Sequence, residues 1–337
     1  MNIFITGGAG FIGSHLAERC LSEGWSVSVL DDLSTGSFEN IARLRSCKQF
    51  CYTIDSVFNM PLVSELVDCC DLVFHLAAAV GVQLVVESPV NTIETNVRGT
   101  ETVLRAAAKK KKRVILASTS EVYGKSLRVP FQEDDDLVMG STTKGRWSYA
   151  CSKALDEFLG LAYFHEKRVP VSVVRFFNTV GPRQTARYGM VLPTFINQAL
   201  ANRPITVFGD GSQTRCFGYV GDAVEALVRI AKSPRVAGEI VNIGSDSEIS
   251  IRELASVVRR RTNSRSEIVY VPYADAYGPG FEDMFRRVPS LEKLQRITGF
   301  KPATSLNHII DFIVARLSLA AESGAPDTRM AVGAAAI

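Results

Sequence analysis

Residues 2–13 read Asn2-Ile3-Phe4-Ile5-Thr6-Gly7-Gly8-Ala9-Gly10-Phe11-Ile12-Gly13, and the fold follows from how they are read. The first five form a short, mostly apolar run suited to a strand buried in a parallel sheet. From Phe11 to Glu23 apolar positions recur at helical spacing, and Gly24 ends the stretch. Ser26-Val27-Ser28-Val29-Leu30 is a second strand, with Asp31 and Asp32 at its carboxyl end. This is a β-α-β unit with a dinucleotide fingerprint at its first turn. Gly7 permits the tight turn, Gly10 lets the backbone approach a pyrophosphate, and Gly13 lets helix and strand pack closely. The helix N-terminus, opening at Phe11 and Ile12, offers N–H groups and a dipole to the phosphates. Asp31 is read as acceptor for the adenosine ribose hydroxyls; an acid there repels a ribose phosphate and favours NAD over NADP. A capping or turn aspartate is the alternative.

The rest of the composition bounds the function. The chain has 337 residues, enough for one large or two ordinary domains, and its 46% hydrophobic and 22% charged content fits a globular protein. A net charge of +3 is too small to imply nucleic-acid binding, though it is compatible with an anionic small substrate. Seven cysteines at 20, 47, 51, 69, 70, 151 and 216 show no metal-ligand spacing, and an odd count argues against a disulfide framework, so no metal is expected. The first strand starts at once, leaving no room for a signal peptide. The most apolar stretch, Leu72 to Val86, carries His75 and Gln83 and is too short to span a bilayer. The expectation is a cytoplasmic enzyme with no membrane partner.

Beyond Asp31 the polar stretch Leu33 to Asn40 suits a loop beside a cofactor, and Asp32, Ser34, Thr35 and Gly36 join the candidate contacts. Phe50–Ile54 reads as strand three, with Asp55 and Ser56 at its end, within reach of an adenine amino group. Leu62 to Cys70 is a short helix and Asp71 to Leu76 strand four, followed by Ala77-Ala78-Ala79. Small residues after Leu76 let a flat ligand pass; tight helix–sheet packing explains them equally well. A long helix from Pro89 to Ala108 holds Asn96, another candidate cofactor residue, and the basic run to Arg113 suits a helix C-terminus. Strand five, Val114–Ala117, ends in Ser118-Thr119-Ser120-Glu121-Val122-Tyr123-Gly124. Ligands in doubly wound sheets bind outside the carboxyl ends of strands, which puts these hydroxyls and Glu121 where chemistry happens. Trp147 to Lys167 is a helix carrying Tyr149 and Lys153 one turn apart on one face, and Val171–Phe177, with Phe176, is strand six. Further on the alternation loosens. Helices are expected at 191–202, 220–232, 251–261 (opened by a Ser250/Glu253 capping box), 290–298 and 306–319, with strands at 205–208 and 240–243. The reading is an α/β protein: a Rossmann-type doubly wound parallel sheet over 1–177, a smaller α+β substrate domain over 178–319, and a disordered or weakly packed tail over 320–337.

A tyrosine and a lysine at i and i+4, with a threonine hydroxyl from a strand end, make an acid–base device. A free phenol titrates near ~10, and a nearby ammonium and nicotinamide cation lower that value. Thr119, Tyr149 and Lys153 are the catalytic candidates, with Glu121 beside them and Lys153 also placed to hold the nicotinamide ribose.

The sequence resembles the extended short-chain dehydrogenase/reductase family, specifically its nucleotide-sugar epimerases, dehydratases and decarboxylases, over about residues 1–318. The matching motifs are 7–13, Asp31, 118–124, Tyr149-Ala150-Cys151-Ser152-Lys153, Arg175-Phe176-Phe177-Asn178, Gly181-Pro182-Arg183-Gln184 and Gly211-Ser212-Gln213-Thr214-Arg215. The resemblance implies tightly held NAD, transient oxidation of a UDP-sugar at C4, and a homodimer packed through helices 89–108 and 147–167. It also implies substrate contacts: Ser120, Asn178, Arg187 and Arg215 toward the sugar and diphosphate, and Val191, Leu192, Thr206 and Phe208 around the base. A surface arginine at 215 and a core phenylalanine at 208 are the plainer readings. Glu121 and Arg287 resemble the pair that UDP-glucuronate decarboxylases use on the C5 carboxylate. Val288, where those enzymes usually carry lysine, and Gly181–Gln184, which look epimerase-like, pull the other way. The expectation is therefore a 4-epimerase of a UDP-hexose or UDP-hexuronate, with a UDP-glucuronate decarboxylase as the alternative and a non-catalytic NAD sensor as a remote one.

Overall fold

A computed structural model describes residues 1–81, 85, 87–186, 189–273, 275, 282 and 284–322. Seven parallel strands form the central sheet: β1 (Asn2–Thr6), β2 (Ser26–Asp31), β3 (Phe50–Ile54), β4 (Leu72–His75), β5 (Arg113–Thr119), β6 (Val171–Phe176) and β11 (Ile240–Ile243), in the order 11-6-5-4-1-2-3. The Rossmann-type reading is borne out. The chain winds outward in one direction from β1 and in the other from β4, so the switch point, beside which doubly wound sheets bind their ligands, lies between these two strands.

Alternation along the strands decides the two faces. Ile3 and Ile5 of β1 join a core with Val27, Val29 and helices α1 (Phe11–Ser22) and α6 (Val220–Lys232). Phe4 points the other way, to Val73, Val114, Val171 and helices α2 (Met60–Asp68) and α3 (Pro89–Lys110). Each fully buried Val, Leu, Ile or Phe contributes about 1.5–3 kcal/mol before chain entropy is charged against it. Helix α4 (Ser148–Lys167) lies beside α3 and carries Tyr149 and Lys153.

A second, smaller core joins α5 (Val191–Leu200), α7 (Ile251–Arg261) and α9 (Leu306–Glu322) to β8 (Ile205–Phe208), which pairs with β13 (Ile268–Val271). The Ser250/Glu253 capping box is present on α7. Two further short pairs, β7 (Thr179–Val180) with β10 (Gly218–Tyr219) and β9 (Thr214–Cys216) with β12 (Glu248–Ser250), are too short to show a hydrophobic alternation in sequence. Helix α8 (Glu292–Thr298) returns to the large unit, packing on α6 and β11. The sheet thus takes its last strand, and helices α6 and α8, from beyond residue 177.

Several ends differ from expectation. Helix α3 runs on to Lys110 and stops where Lys111 turns left-handed at φ 52°. Trp147 lies in a 3₁₀ turn before α4, not inside it, and α8 starts at Glu292 because residues 289–290 are held in a loop against Phe131. Ala320–Glu322 belong to α9, while the remainder of the tail lies outside the described residues.

Candidate active site

The glycine turn is shaped for a dinucleotide. Gly7 sits at φ +71°, and a Cβ there would lie 2.8 Å from the Ala77 nitrogen. A Cβ on Gly13 would run into the Gly7 carbonyl and lie 2.9 Å from the Gly8 Cα, so helix and turn meet with no side chain between them. Helix α1 opens at Phe11 with no acidic residue in its first turn and no side-chain cap at Gly10, leaving its N–H groups to an anion. Asp31 accepts from the Ala9 N–H at 2.9 Å and the Leu33 N–H at 2.8 Å. Burial raises its carboxyl above the ordinary value, and these amides work against the rise. Gly36 backs directly onto Asp31, and Asp32 folds the loop by accepting from the Ser34 N–H at 2.9 Å. These residues fit the adenosine half of NAD.

Other expected cofactor residues are engaged with one another. Asp55 accepts from the Ser56 N–H and from Asn59 Nδ2. The Ala77 N–H reaches Thr6 Oγ1, whose hydroxyl also meets His75 Nδ1 at 2.7 Å. Asn96, fully buried, accepts from the Ala79 N–H and donates to Ser152 Oγ, each at 3.0 Å, and Ser152 in turn donates to the Tyr149 carbonyl. Asn96 therefore ties the β4 strand end to the tyrosine-bearing helix. Ser118 donates to Glu157, which also takes two hydrogen bonds from Arg175, so its hydroxyl belongs to the scaffold under the site.

Tyr149 is buried, and so is Lys153. Burial first, and then the Glu121 charge, push the phenol above its usual value, while the Thr119 hydroxyl and Arg146 hold it down. Lys153 Nζ donates to Asp156 at 2.6 Å, both side chains almost fully buried. Asp156 was not singled out in sequence, although an acid at i+3 on the same helix was there to be read.

Glu121 stands between two arginines. Arg146 donates to Oε2, and Arg287, 166 residues away, donates to Oε1 at 3.3 Å. Arg146 was missed as well; it lies three residues before Tyr149 in the 3₁₀ turn Gly145–Trp147. The loop bearing Arg287 is anchored on both sides. The Phe131 N–H donates to the Val288 carbonyl at 2.7 Å and the Ser290 N–H to the Phe131 carbonyl, while Arg286 makes two hydrogen bonds to Glu248. Beneath it, Phe131 stacks on Tyr123 at 4.6 Å.

Among the substrate candidates, Ser120 is buried beside Glu121, and Asn178, at φ 35°, donates to the Cys216 carbonyl. Arg215 is only 7% exposed and donates to the Thr214 and Phe285 carbonyls, so it is no surface arginine. Thr206 is bonded to Gln198, Leu192 is fully buried in the second core, and Val191 and Phe208 are half-buried. Arg187 lies outside the described residues. Arg183 donates twice to Glu18 and once to Ser14 on the fingerprint helix, and Gln184 donates to the Thr179 carbonyl. Among the described residues there is no cluster of three metal-ligating side chains and no helix long and apolar enough to cross a membrane.

Comparison with known proteins agrees with this geometry. The model of the NAD dependent epimerase/dehydratase family matches residues 3–244. The chain belongs to that family. NAD is its cofactor, and the glycine turn and Asp31 are the part of this epimerase/dehydratase that fits it. A UDP-N-acetyl-alpha-D-glucosaminuronate decarboxylase of Bacillus cytotoxicus is 46% identical over 302 residues, 89% of this chain and 92% of that one. UDP-glucuronic acid decarboxylase 1 of Danio rerio is 35% identical over 90% of this chain and 69% of its own. Among solved structures, the UDP-glucuronic acid 4-epimerase of Bacillus cereus, in complex with UDP-glucuronic acid and NAD, superposes with a TM-score of 0.85 at 27% identity, covering 95% of this chain and 99% of that one.

Proposed function

We propose that this family member decarboxylates a UDP-hexuronate through transient oxidation at C4. The supporting observation is the buried contact between Glu121 and Arg287, within the electrostatic reach of Tyr149. The 46% identity to a decarboxylase adds to it, and the epimerase expectation gives way. Both features that favoured an epimerase lose their force. Arg183 and Gln184 are engaged with Glu18, Ser14 and Thr179, a structural task that says nothing about reaction type. Val288 meets Phe131 through its backbone carbonyl, a contact that any side chain at 288 preserves.

Bound NAD⁺ would supply the hydride acceptor for oxidation at the sugar C4 and the hydride donor for any later reduction. Tyr149 as phenolate accepts the O4 proton, Thr119 orients that hydroxyl, and Lys153 holds the ribose and steadies the phenolate. The oxidised sugar is a β-keto acid. Its C5–C6 bond breaks, the electron pair moves into the C4 carbonyl as an enolate, CO₂ leaves, and C5 takes up a proton. Arg287 is the cation that fits the carboxylate, and Glu121 orients that arginine at the C5 side of the ring.

Incubation with UDP-glucuronate and with its 2-acetamido counterpart should release one CO₂ per sugar and yield a UDP-pentose or its 4-keto precursor from at least one of them. Accumulation of UDP-galacturonate or its acetamido analogue with CO₂ a minor product would restore the epimerase. A homodimer belongs to the same proposal. Val90 and Ile93 on α3, and Leu155 and Phe158 on α4, are 43–70% exposed on adjacent helices, an apolar face suited to a second copy. Light scattering should give twice the chain mass at micromolar concentration; a monomer would refute it.

A further inference from the structure

Arg146 is 4% exposed and sits at the entry to the catalytic helix, with its guanidinium 5.8 Å from the centroid of the Trp147 ring. Its partner is Glu121, 25 residues earlier. We infer that Arg146 is a positioning residue for the oxidation step: it grips one oxygen of Glu121, turns the other to Arg287, and offsets the Glu121 charge beside Tyr149.

The site poses a conflict that this arrangement resolves. A carboxylate on Arg287 serves the C5 side of the sugar, but the same negative charge opposes formation of a phenolate at Tyr149. In a water-poor site such a charge is little screened, and with Arg287 turned to the substrate carboxylate it needs a second cation. Arg146 supplies that cation from the turn three residues before Tyr149, so one short segment carries both the base and the group that protects it. A planar guanidinium with five N–H donors also fixes the rotation of the carboxylate, which a lysine would not. Among the described residues, the charged groups whose fields reach Tyr149 are Glu121 from the turn after β5, Arg146 ahead of α4, and Asp156 within α4, which pairs with Lys153. Arg287 acts through Glu121, and His75 of β4 stands next to Lys153, kept neutral by burial that lowers its pKa to about 3. Of these, only Arg146 answers the Glu121 charge from the tyrosine's own segment.

The inference rests on Tyr149 as the base and not on the fate of the carboxylate, because removal of the O4 proton is common to decarboxylation and epimerisation. It is tested by kcat/KM against pH for NAD-loaded wild type, Arg146→Gln, and Arg146→Gln with Glu121→Gln, on whichever UDP-hexuronate product the wild type makes. The phenolate is also titrated directly in the same proteins, as ultraviolet difference absorbance against Tyr149→Phe. Arg146→Gln should move the acid limb and the phenolate titration up by about one pH unit, a tenfold loss of rate at a fixed pH below the limb. Adding Glu121→Gln should bring both back, since the offending charge is then gone, and Arg146→Lys should fall between. A limb for Arg146→Gln that coincides with wild type, or one that stays displaced in the double variant, would overturn the assignment. If Arg146→Gln does not fold, Arg146→Lys with and without Glu121→Gln poses the same question. Loss of CO₂ release with an intact limb would count against the decarboxylase reading alone.

Discussion

Tyr149→Phe should keep NAD bound and lower turnover by a factor of about 10² or more. The ring stays, so the packing of the buried side chain is preserved; only the oxygen that accepts the substrate proton is removed. The direction of the pH dependence follows from the surroundings of that oxygen. Burial, and after it Glu121, raise the phenol above its ordinary value, so the protonated and inactive form is favoured at neutral pH until a cation opposes it. Activity should therefore climb with pH along the acid limb, as the phenolate fraction grows, and the residual activity of Tyr149→Phe should lack that limb. Steady-state rates across pH, with bound NAD measured separately, check both halves. Near-normal turnover in the variant would remove Tyr149 from the mechanism.

Gly13→Val should abolish NAD binding, with an affinity loss of a hundredfold or more. A Cβ at this position collides with the Gly7 carbonyl and lies 2.9 Å from both the Gly7 carbonyl carbon and the Gly8 Cα, all of them backbone atoms of the phosphate turn itself. No flexible side-chain end can yield, so the turn must move, and with it the N–H groups aimed at the pyrophosphate. Fluorescence titration with NAD measures the loss. Gly145→Ala is the control, since an added Cβ there meets nothing within 4 Å; it should leave NAD affinity as it is. Retained affinity in Gly13→Val would mean that the turn is not the phosphate cradle.

The two variants probe parts of the molecule that differ in how openly the sequence displays them. The cradle is local: strand, turn, helix, second strand and Asp31 fall within thirty-one consecutive residues, and each glycine meets atoms of its own unit or of the adjacent strand end. Tyr149 and Lys153 are local too, because helical geometry places i and i+4 on one face. The capping box at Ser250 and Glu253 is set by four residues. In such cases backbone stereochemistry and hydrophobic period leave little for the rest of the chain to decide.

What only the tertiary structure decided are the pairings between distant residues. Arg146 reaches Glu121 across 25 positions, Arg287 reaches it across 166, and Arg183 reaches Glu18 across 165. Asn96 became a strut between two elements once Ala79 and Ser152 were brought to it. Residues 220–243 join the large unit because β11 finds β6 as its neighbour, a partner that no period along the chain announces. The amino-acid sequence by itself determined the strands of the central sheet, the bodies of the helices, the cofactor turn and the tyrosine–lysine face, since these follow from contacts a few residues apart. Which charge neutralises which, and so what Glu121 does beside Tyr149, depends on electrostatics through space, and space between distant residues exists only after the chain has folded.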